Sequence, residues 1–526
     1  PTSNWTYGEV RSDNAYKGGG GVGDLNEVHR METFDMDATN GFLDSKWYHL
    51  YCSVQRCNSA LRVLNAATDE QVNGRVSRIA EMKVLRAHYY FELSRLFNKI
   101  PYFDENVEIS QYPDIPNNEF TRDEILSMLA KEMLDAAELL PASQSEVGRI
   151  HKYIALAYAA KIKLYQAYQQ DETTHAVTSI NKELLREVVS LCDQVTASNR
   201  YGLLDDFQGL DLVANENGKE SVFAIQYSMN DGTESAGRIN WSNLLNSPGG
   251  GSPYGGDGFF LPSQDLINAY QTDANGLPDF NYQSKSDYSW AVLNNGVYTL
   301  QNTTPNVDPR LDFVVGRPTI TWKTYPDKPC EGWVRDKETY GYNCAKRFWV
   351  SPESSDMFNG WPWGASQLNW QIIRYADILL WKAEALIELN EGDGLETARD
   401  LINQIRNRAR NSAYVKDFND HSKYAANYLV NPYPADVWNQ DYARQALRWE
   451  TRLEKALEGE RFFDLVRWGI VETTMNKYIT AESDNRIYYA NAHFTGGKDE
   501  YYPVPNNQYG FSGGKYVQNP GYAPFN

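Results

Sequence analysis

The chain is poor in cysteine, in paired histidine, in positive charge and in long apolar runs, and each shortage removes a class of protein. Five cysteines in 526 residues are too few for a disulfide framework. Cys52 and Cys57 stand five apart on an expected helix and Cys192 lies on another, so these three read as small core residues. Cys330 and Cys344 bracket a Gly/Tyr-rich loop, which leaves a bridge in an oxidising compartment open. His29, His49, His88, His151, His175, His421 and His493 show no HxxxH or HxH spacing, so the sequence offers no zinc site. With 50 Lys and Arg against 69 Asp and Glu, the net charge of −19 argues against nucleic acid or an anionic membrane surface as partner. No stretch approaches the ~20 apolar residues of a membrane-crossing helix. Nothing calls for a metal or an organic cofactor.

What is present begins with Arg374 to Arg410. Apolar residues at Tyr375/Ala376, Leu379/Leu380, Ala383 and Leu386/Ile387 recur at helical spacing, and Leu395, Ala398, Leu401/Ile402, Ile405 and Ala409 do so again. Gly392 is expected to take a left-handed conformation at the first helix end, and Asp393 with Glu396 to cap the second. Two helices joined so closely must lie antiparallel, which is the unit of a tetratricopeptide-type repeat, a scaffold that binds more often than it catalyses. From Ala446 to Gly469, Arg448, Glu450, Arg452, Glu454, Glu458, Glu460, Arg461, Asp464 and Arg467 alternate with apolar residues. A paired-carboxylate role for Glu458 and Asp464 is available, but nearby Arg side chains are expected to hold both ionised, so the segment reads as an ion-pair network.

In combination, several motifs carry a family resemblance: Trp47 to Leu61, Glu81 to Tyr102, Asp308 to Leu311 (DPRL), Arg374 to Ala385, Leu453 to Gly469 and Tyr501 to Pro505 (YYPVP). The sequence resembles the SusD/RagB family of cell-surface glycan-binding lipoproteins of Bacteroidetes. The resemblance implies a mainly α fold, a tetratricopeptide-like helical superhelix with a long irregular insertion, and capture of an oligosaccharide or polysaccharide without catalysis. It also implies delivery to a SusC-like TonB-dependent transporter and a lipid anchor at the outer membrane, cell-surface side. On that pattern a signal, a lipid-accepting Cys and some first-domain sequence would precede Pro1. A peptide-binding relative and a glycoside hydrolase are the alternatives.

Residues 1–526 are expected to form one unit, since no charged, Ser-rich or Pro-rich linker interrupts them. Within it, 1–46 reads as a loop-rich segment with GGGG at Gly18 to Gly21, 47–200 and 371–470 as helical repeats, 201–370 as the irregular insertion with ligand-binding loops, and 471–526 as C-terminal loops. Expected helices are Trp47 to Ala67, Val76 to Asn98, Thr121 to Leu139 with a Thr121/Glu124 capping box, His151 to Gln169 and Asn181 to Ala197. Short strands are expected at Ser221 to Tyr227, Phe313 to Val315 and Thr319 to Trp322. Gly249 to Gly258 lacks the GK[ST] ending of a phosphate loop and reads as a flexible loop, and Asp273, Asn275, Gly276 and Asp279 read as a turn instead of a calcium loop.

Aromatic residues make up 13% of the chain, many in polar loops, and flat rings flanked by Asn, Asp and Arg suit sugars. The candidates are Arg11, Asp13, Asn14, Tyr16, Asn40 and Phe42 early on, then Trp241, Tyr254, Tyr288, Trp290 and Tyr298 in the insertion, with Trp361 and Trp363 as a further pair. Trp290 with Tyr288 or Tyr298 is the preferred cradle, assisted by Arg11, Asp13 and Asn14. Trp47, Trp381, Trp449 and Trp468 lie on helical stripes and are assigned to core.

Overall fold

A computed structural model describes residues 4–525 apart from 234–236 and 247. After a π-helical turn at Trp5–Val10, the first helices are α1 (Asn26–Glu32), α2 (Gly41–Ala66), α3 (Arg75–Phe97), α4 (Arg122–Leu139), α5 (Lys152–Ala167) and α6 (Lys182–Ala197). Short α7 (Gln264–Ala269), α8 (Arg310–Val314) and α9 (Lys337–Tyr340) punctuate the insertion. Then come α10 (Tyr375–Leu389), α11 (Gly394–Asn411), α12 (Gln440–Glu454), α13 (Arg461–Arg467), α14 (Val471–Glu482) and α15 (Asn506–Phe511). Each long helix packs on the next, α2 through α6 in turn, then α6 on α10, and α10 on α11 and α12. The fold is the mainly α, tetratricopeptide-like stack that the sequence implies.

Local chemistry sets the helix ends. Asn40 caps α2 by accepting from the Phe42 and Leu43 amides. The Thr121/Glu124 box forms as expected, with Thr121 N–H donating to the Glu124 carboxylate at 2.8 Å. Asn390 and Gly392 both turn left-handed, at φ of 50° and 55°, and reverse the chain between α10 and α11. The expected Asp393 cap is absent. Its backbone, at φ −89° and ψ 14°, is not extended, so its side chain makes no cap bond and its carbonyl takes the Thr397 amide instead.

Among the described residues, twelve short strands form six antiparallel pairs. They are β1 (Ala15–Gly18) with β5 (Phe259–Pro262), β2 (Tyr168–Gln170) with β3 (Val177–Ile180), β4 (Ser221–Ile225) with β12 (Trp370–Arg374), β6 (Gln271–Thr272) with β9 (Asn306–Val307), β7 (Trp290–Asn294) with β8 (Val297–Gln301), and β10 (Val315–Gly316) with β11 (Cys344–Ala345). The strand expected at Ser221 is β4. Phe313, expected extended, is helical, because Asp308 accepts the Arg310 amide and Pro309 opens the helical turn of α8. Thr319 to Trp322 holds only isolated bridges, Ile320 to Asp417 and Trp322 to Tyr325.

Residues 5–19 are not a surface segment, whereas much of 20–46 is exposed or half-buried. Trp5 to Gly18 is buried throughout; Gly18, the last residue of β1, pairs with Phe259, and Gly19 to Gly21 lie in bends outside regular structure, as expected. The Arg11 guanidinium lies over the Phe462 and Tyr502 rings, 4.5 and 3.9 Å from their centroids.

Buried ion pairs join the helical stack to the insertion. Arg374, which ends β12, bonds Glu220, Glu454 and Glu458 at 2.8–3.0 Å. Arg310 of DPRL reaches Asp308, Glu450 and Glu454, while Arg406 and Arg408 bond Glu450, Glu454 and Glu220. Burial opposes ionisation of Glu454 and Glu458, but these cations hold Glu454 at about 2 and Glu458 well below the usual carboxylate range. Asp464 departs from expectation: burial outweighs Arg467 and raises its carboxyl. Trp47, Trp381 and Trp468 are in the core as expected, and Trp449 is half-buried with its indole N–H on the Ala269 carbonyl.

Candidate ligand-binding cleft

A cleft of about 570 Å³ opens between the helical stack and the insertion. One wall is helical: Lys46, His49, Leu50 and Ser53 from α2, and His88, Tyr89, Glu92 and Arg95 from α3. These positions recur three to four apart, so each set shares one helix face. The opposite wall is the β4–β12 pair and its extensions, with Ile225, Gln226, Tyr227, Trp370 and Ile372. Lys161, Lys455, Glu458 and Glu460 close the floor, and Arg238, Trp241 and Ser242 stand at the mouth. A shallow depression of about 750 Å³ on the outer face of α2 and α3 has no aromatic ring in its lining.

The floor is charged and its ions are paired with one another. Arg95 binds Glu92 at 2.8 Å and Glu460 at 2.7 Å, and Lys161 binds Glu460 at 3.2 Å. Burial would raise the Glu92 carboxyl, but Arg95, His88, Lys161 and Lys46 hold it at about 2, and Arg95 with Lys161 lowers Glu460 against the same burial. Burial brings Lys46 down to about 8 and His88 to about 4; the His88 Nδ1 meets the Tyr158 hydroxyl at 2.7 Å.

Rings supply the remaining surface. Tyr227 is positioned by its amide donating to Asn369 at 2.7 Å, and Trp370 packs on Phe348 with centroids 4.7 Å apart. Trp241 follows Asn240, whose amide donates to the Ser366 carbonyl at 2.8 Å, and Met357 bridges to the same Ser366. Trp241, Trp361 and Trp363 are exposed at 44%, 62% and 50%, and of these three Trp241 lines the cleft. Trp363 lies against Gly255, where a Cβ would sit 3.2 Å from the indole. The Gly249 to Gly258 loop is thus not free-standing; Tyr254 anchors it by donating to the Val350 carbonyl at 2.8 Å and accepting from Trp322.

The structure separates the other candidates from these rings. Arg11, Asp13, Asn14 and Tyr16 are buried and bonded respectively to the Asp499 carbonyl, Arg461, Glu9 and Glu482, which removes them from the surface; the Arg11 Nε and Nη1 have no hydrogen-bond partner but lie over aromatic rings. Asn40 is the buried cap of α2, and Phe42 is half-buried against the core. Tyr254 and Tyr288 are fully buried, Tyr288 beneath Arg317. Trp290 is 45% exposed, but it stands on the β7–β8 hairpin with Tyr298, whose half-buried ring meets Tyr342, and it lines no part of the cleft. The preferred cradle therefore loses Tyr288 and its early-segment helpers. Sequence reasoning missed Tyr89, Tyr227 and Trp370. Trp370 carried a signal, because WQIIR leads directly into the α10 pattern and places its ring beside the repeat.

The remaining candidates settle simply. Asp273 accepts the Asn275 and Leu277 amides in a turn with Gly276 left-handed. No cluster of three or more His, Cys, Asp or Glu with metal-ligand placement occurs among the described residues. Cys330 and Cys344 are buried, free thiols, while Cys52 is partly exposed.

Helix hairpins stacked behind a ring-lined cleft define a binding scaffold of tetratricopeptide type. The sequence profile of the SusD family matches residues 219–522, and a profile described as "Starch-binding associating with outer membrane" matches residues 6–164. The chain belongs to the SusD family. It is 22% identical to a SusD-like protein of Bacteroides ovatus over 83% of this chain and 67% of that one. It is 24% identical to SusD-like protein P2 of Formosa agariphila over 94% and 83%. Among solved structures, a SusD superfamily protein from Bacteroides vulgatus superposes with a TM-score of 0.70 at 21% identity, covering 98% of this chain and 92% of that one. Surface glycan-binding protein A from Bacteroides thetaiotaomicron, in complex with laminarihexaose, superposes with a TM-score of 0.65 at 19% identity, covering 98% and 93%. At these identities the likeness to solved structures is one of fold.

Proposed function

We propose that this protein captures an oligosaccharide or polysaccharide at the cell surface, holds it without cleaving it, and passes it to a SusC-like TonB-dependent transporter in the outer membrane, where a lipid anchor keeps the protein. The observation that carries the reading is the cleft itself. Tyr89, Tyr227, Trp241 and Trp370 give flat apolar faces for sugar C–H groups, and Arg238, Ser242 and Gln371 offer hydroxyl partners between them. Family membership and the laminarihexaose complex of a structural neighbour support the ligand class. The outer-membrane wording of the matching profile supports the location.

Affinity electrophoresis against a panel of neutral and acidic polysaccharides tests the proposal, with calorimetry on matching oligosaccharides. Retardation by at least one glycan, weakened in Trp241→Ala and without release of reducing ends on long incubation, is expected. Failure of every glycan together with binding of an extended peptide would replace the reading with peptide capture. Release of reducing ends by hydrolase-free protein would replace it with hydrolysis. Co-purification of the membrane-anchored protein with an outer-membrane barrel tests the transporter.

A further inference from the structure

We propose that Cys330 and Cys344 form a disulfide when the chain folds in a thiol-oxidising compartment, stapling the base of the 331–343 loop to β11. Both side chains are fully buried. Cys344 pairs with Gly316 across β10–β11, and a Cβ on Gly316 would lie 3.1 Å from the Cys330 sulfur. The Cys330 sulfur therefore sits over the ladder partner of Cys344, and burial together with the neighbouring Cys344 thiol raises the Cys330 thiol well above its usual value. Cys330 holds φ at 61°, a left-handed conformation that a non-glycine residue adopts only where its surroundings fix it, and here it turns the sulfur inward under Trp322 and Trp333. The other three cysteines lie on α2 and α6, remote in sequence from this loop.

The chemistry is thiol–disulfide exchange with a donor disulfide. One cysteine thiolate attacks the donor, forming a mixed disulfide and releasing one donor thiolate. The second attacks the protein-bound sulfur of that mixed disulfide, closing Cys330–Cys344 and expelling the other donor thiolate. Two electrons pass to the donor, and the two protons lost by the cysteine thiols are taken up, through solvent, by its two released thiolates, so that it ends as a dithiol. Both sulfurs are sealed in the folded protein, so the exchange belongs to folding, before Trp322 and Trp333 close over the pair. The bond would restrict the unfolded chain and hold the wall that supports Tyr254 and, through Gly255, Trp363.

The test is to express the full chain in a bacterial periplasm and in a reducing cytoplasm, denature it without reductant, alkylate with iodoacetamide and map the digest by mass spectrometry. The periplasmic chain should take three labels, on Cys52, Cys57 and Cys192, and yield a Cys330–Cys344 linked peptide two hydrogens lighter than its reduced halves; after reduction it should take five. Five labels on the unreduced periplasmic chain would overturn the proposal. The melting temperature of the periplasmic wild type should fall on adding reductant, while that of the Cys330→Ala/Cys344→Ala double variant should not respond. An equal response of both would also overturn it.

Discussion

Replacing Arg374 by Ala should destabilise the protein without touching a ligand-facing ring. The guanidinium donates to Glu220, Glu454 and Glu458 and to the Glu454 carbonyl at 3.1 Å. All four side chains are at most 6% exposed, so water cannot replace the lost cation. Breaking a buried pair costs about 3–5 kcal/mol. Here Arg408 stays on Glu220 and Glu454, and Arg347 and Lys455 stay on Glu458, so the lower end, about 3 kcal/mol, is expected. With an unfolding entropy on the order of 1 kcal/mol/K for a chain of this length melting as one unit, the midpoint should drop by roughly 3 °C.

The acid limb gives a second signature of the same change. Glu454 is depressed from 4.5 to about 2 in the folded state, and Glu458 is depressed further with Arg374 its strongest cation. A depressed carboxyl contributes stability that is full above its unfolded value and lost as pH falls through its folded value. The wild type should therefore lose stability as pH falls from about 4.5 to about 2 and below, whereas Arg374→Ala, its carboxyls less depressed, should lose less and complete that loss at higher pH. Circular-dichroism melts across this range measure both effects, and Arg374→Lys, which keeps the charge but not the fork, should fall between. An Arg374→Ala variant with wild-type midpoint and acid limb would refute the reasoning.

Arg461→Ala should cost less, about 1.5–3 kcal/mol for a charged hydrogen-bonded pair, because Asp13 keeps Arg452 at 3.2 Å. Its glycan affinity should be unchanged, and lost binding at an unchanged melting temperature would make the segment a site. Trp241→Ala should weaken retardation by about fivefold or more, the cost of an anchor residue above ~1 kcal/mol, whereas Trp290→Ala should leave it unaltered; the reverse result would move the site to the β7–β8 hairpin. Burial pushes the Glu9 carboxyl up to about 7, so it is neutral at low pH and stability declines as pH rises from about 4.5 to about 7. Glu9→Gln should therefore gain on the wild type by on the order of 2–3 kcal/mol between about pH 5 and 8; any hydrogen bond the amide loses is lost at both, and a pH-independent difference would refute the shift.

The helices were legible because their apolar spacing and caps are local, as with Thr121 and Glu124. Residues 5–19 were not, because their burial comes from partners hundreds of positions away: Arg11 meets Asp499, Tyr16 meets Glu482, and Asp13 meets Arg452 and Arg461. A polar, Gly-rich composition looks like a surface loop unless those partners are known. The cleft was half legible for the same reason. Trp241, Trp361 and Trp363 stood out as aromatics in polar loops, while Tyr89 hid among the helix-forming residues of HYYF, and only the pairing of β4 with β12 puts Tyr227 and Trp370 opposite it.

The scaffold network and the cleft share residues, and this bears on what the cleft can do. Glu458 bonds Arg374 and Arg347 behind the floor and Lys455 within it, and Glu460 bonds Arg95 and Lys161. A glycoside hydrolase needs a carboxyl raised enough to stay protonated and give its proton to a leaving oxygen. Glu92, Glu458 and Glu460, the three carboxyls lining the cleft, are all shifted the other way, each by cations that also hold the walls together. Making any of them a proton donor would require removing a cation the fold depends on. The same pairing leaves the floor fixed before a ligand arrives, which lowers the ordering cost of binding. Affinity can then be set by the exposed Trp241 ring at the mouth, on a loop that can change without disturbing the stack beneath it.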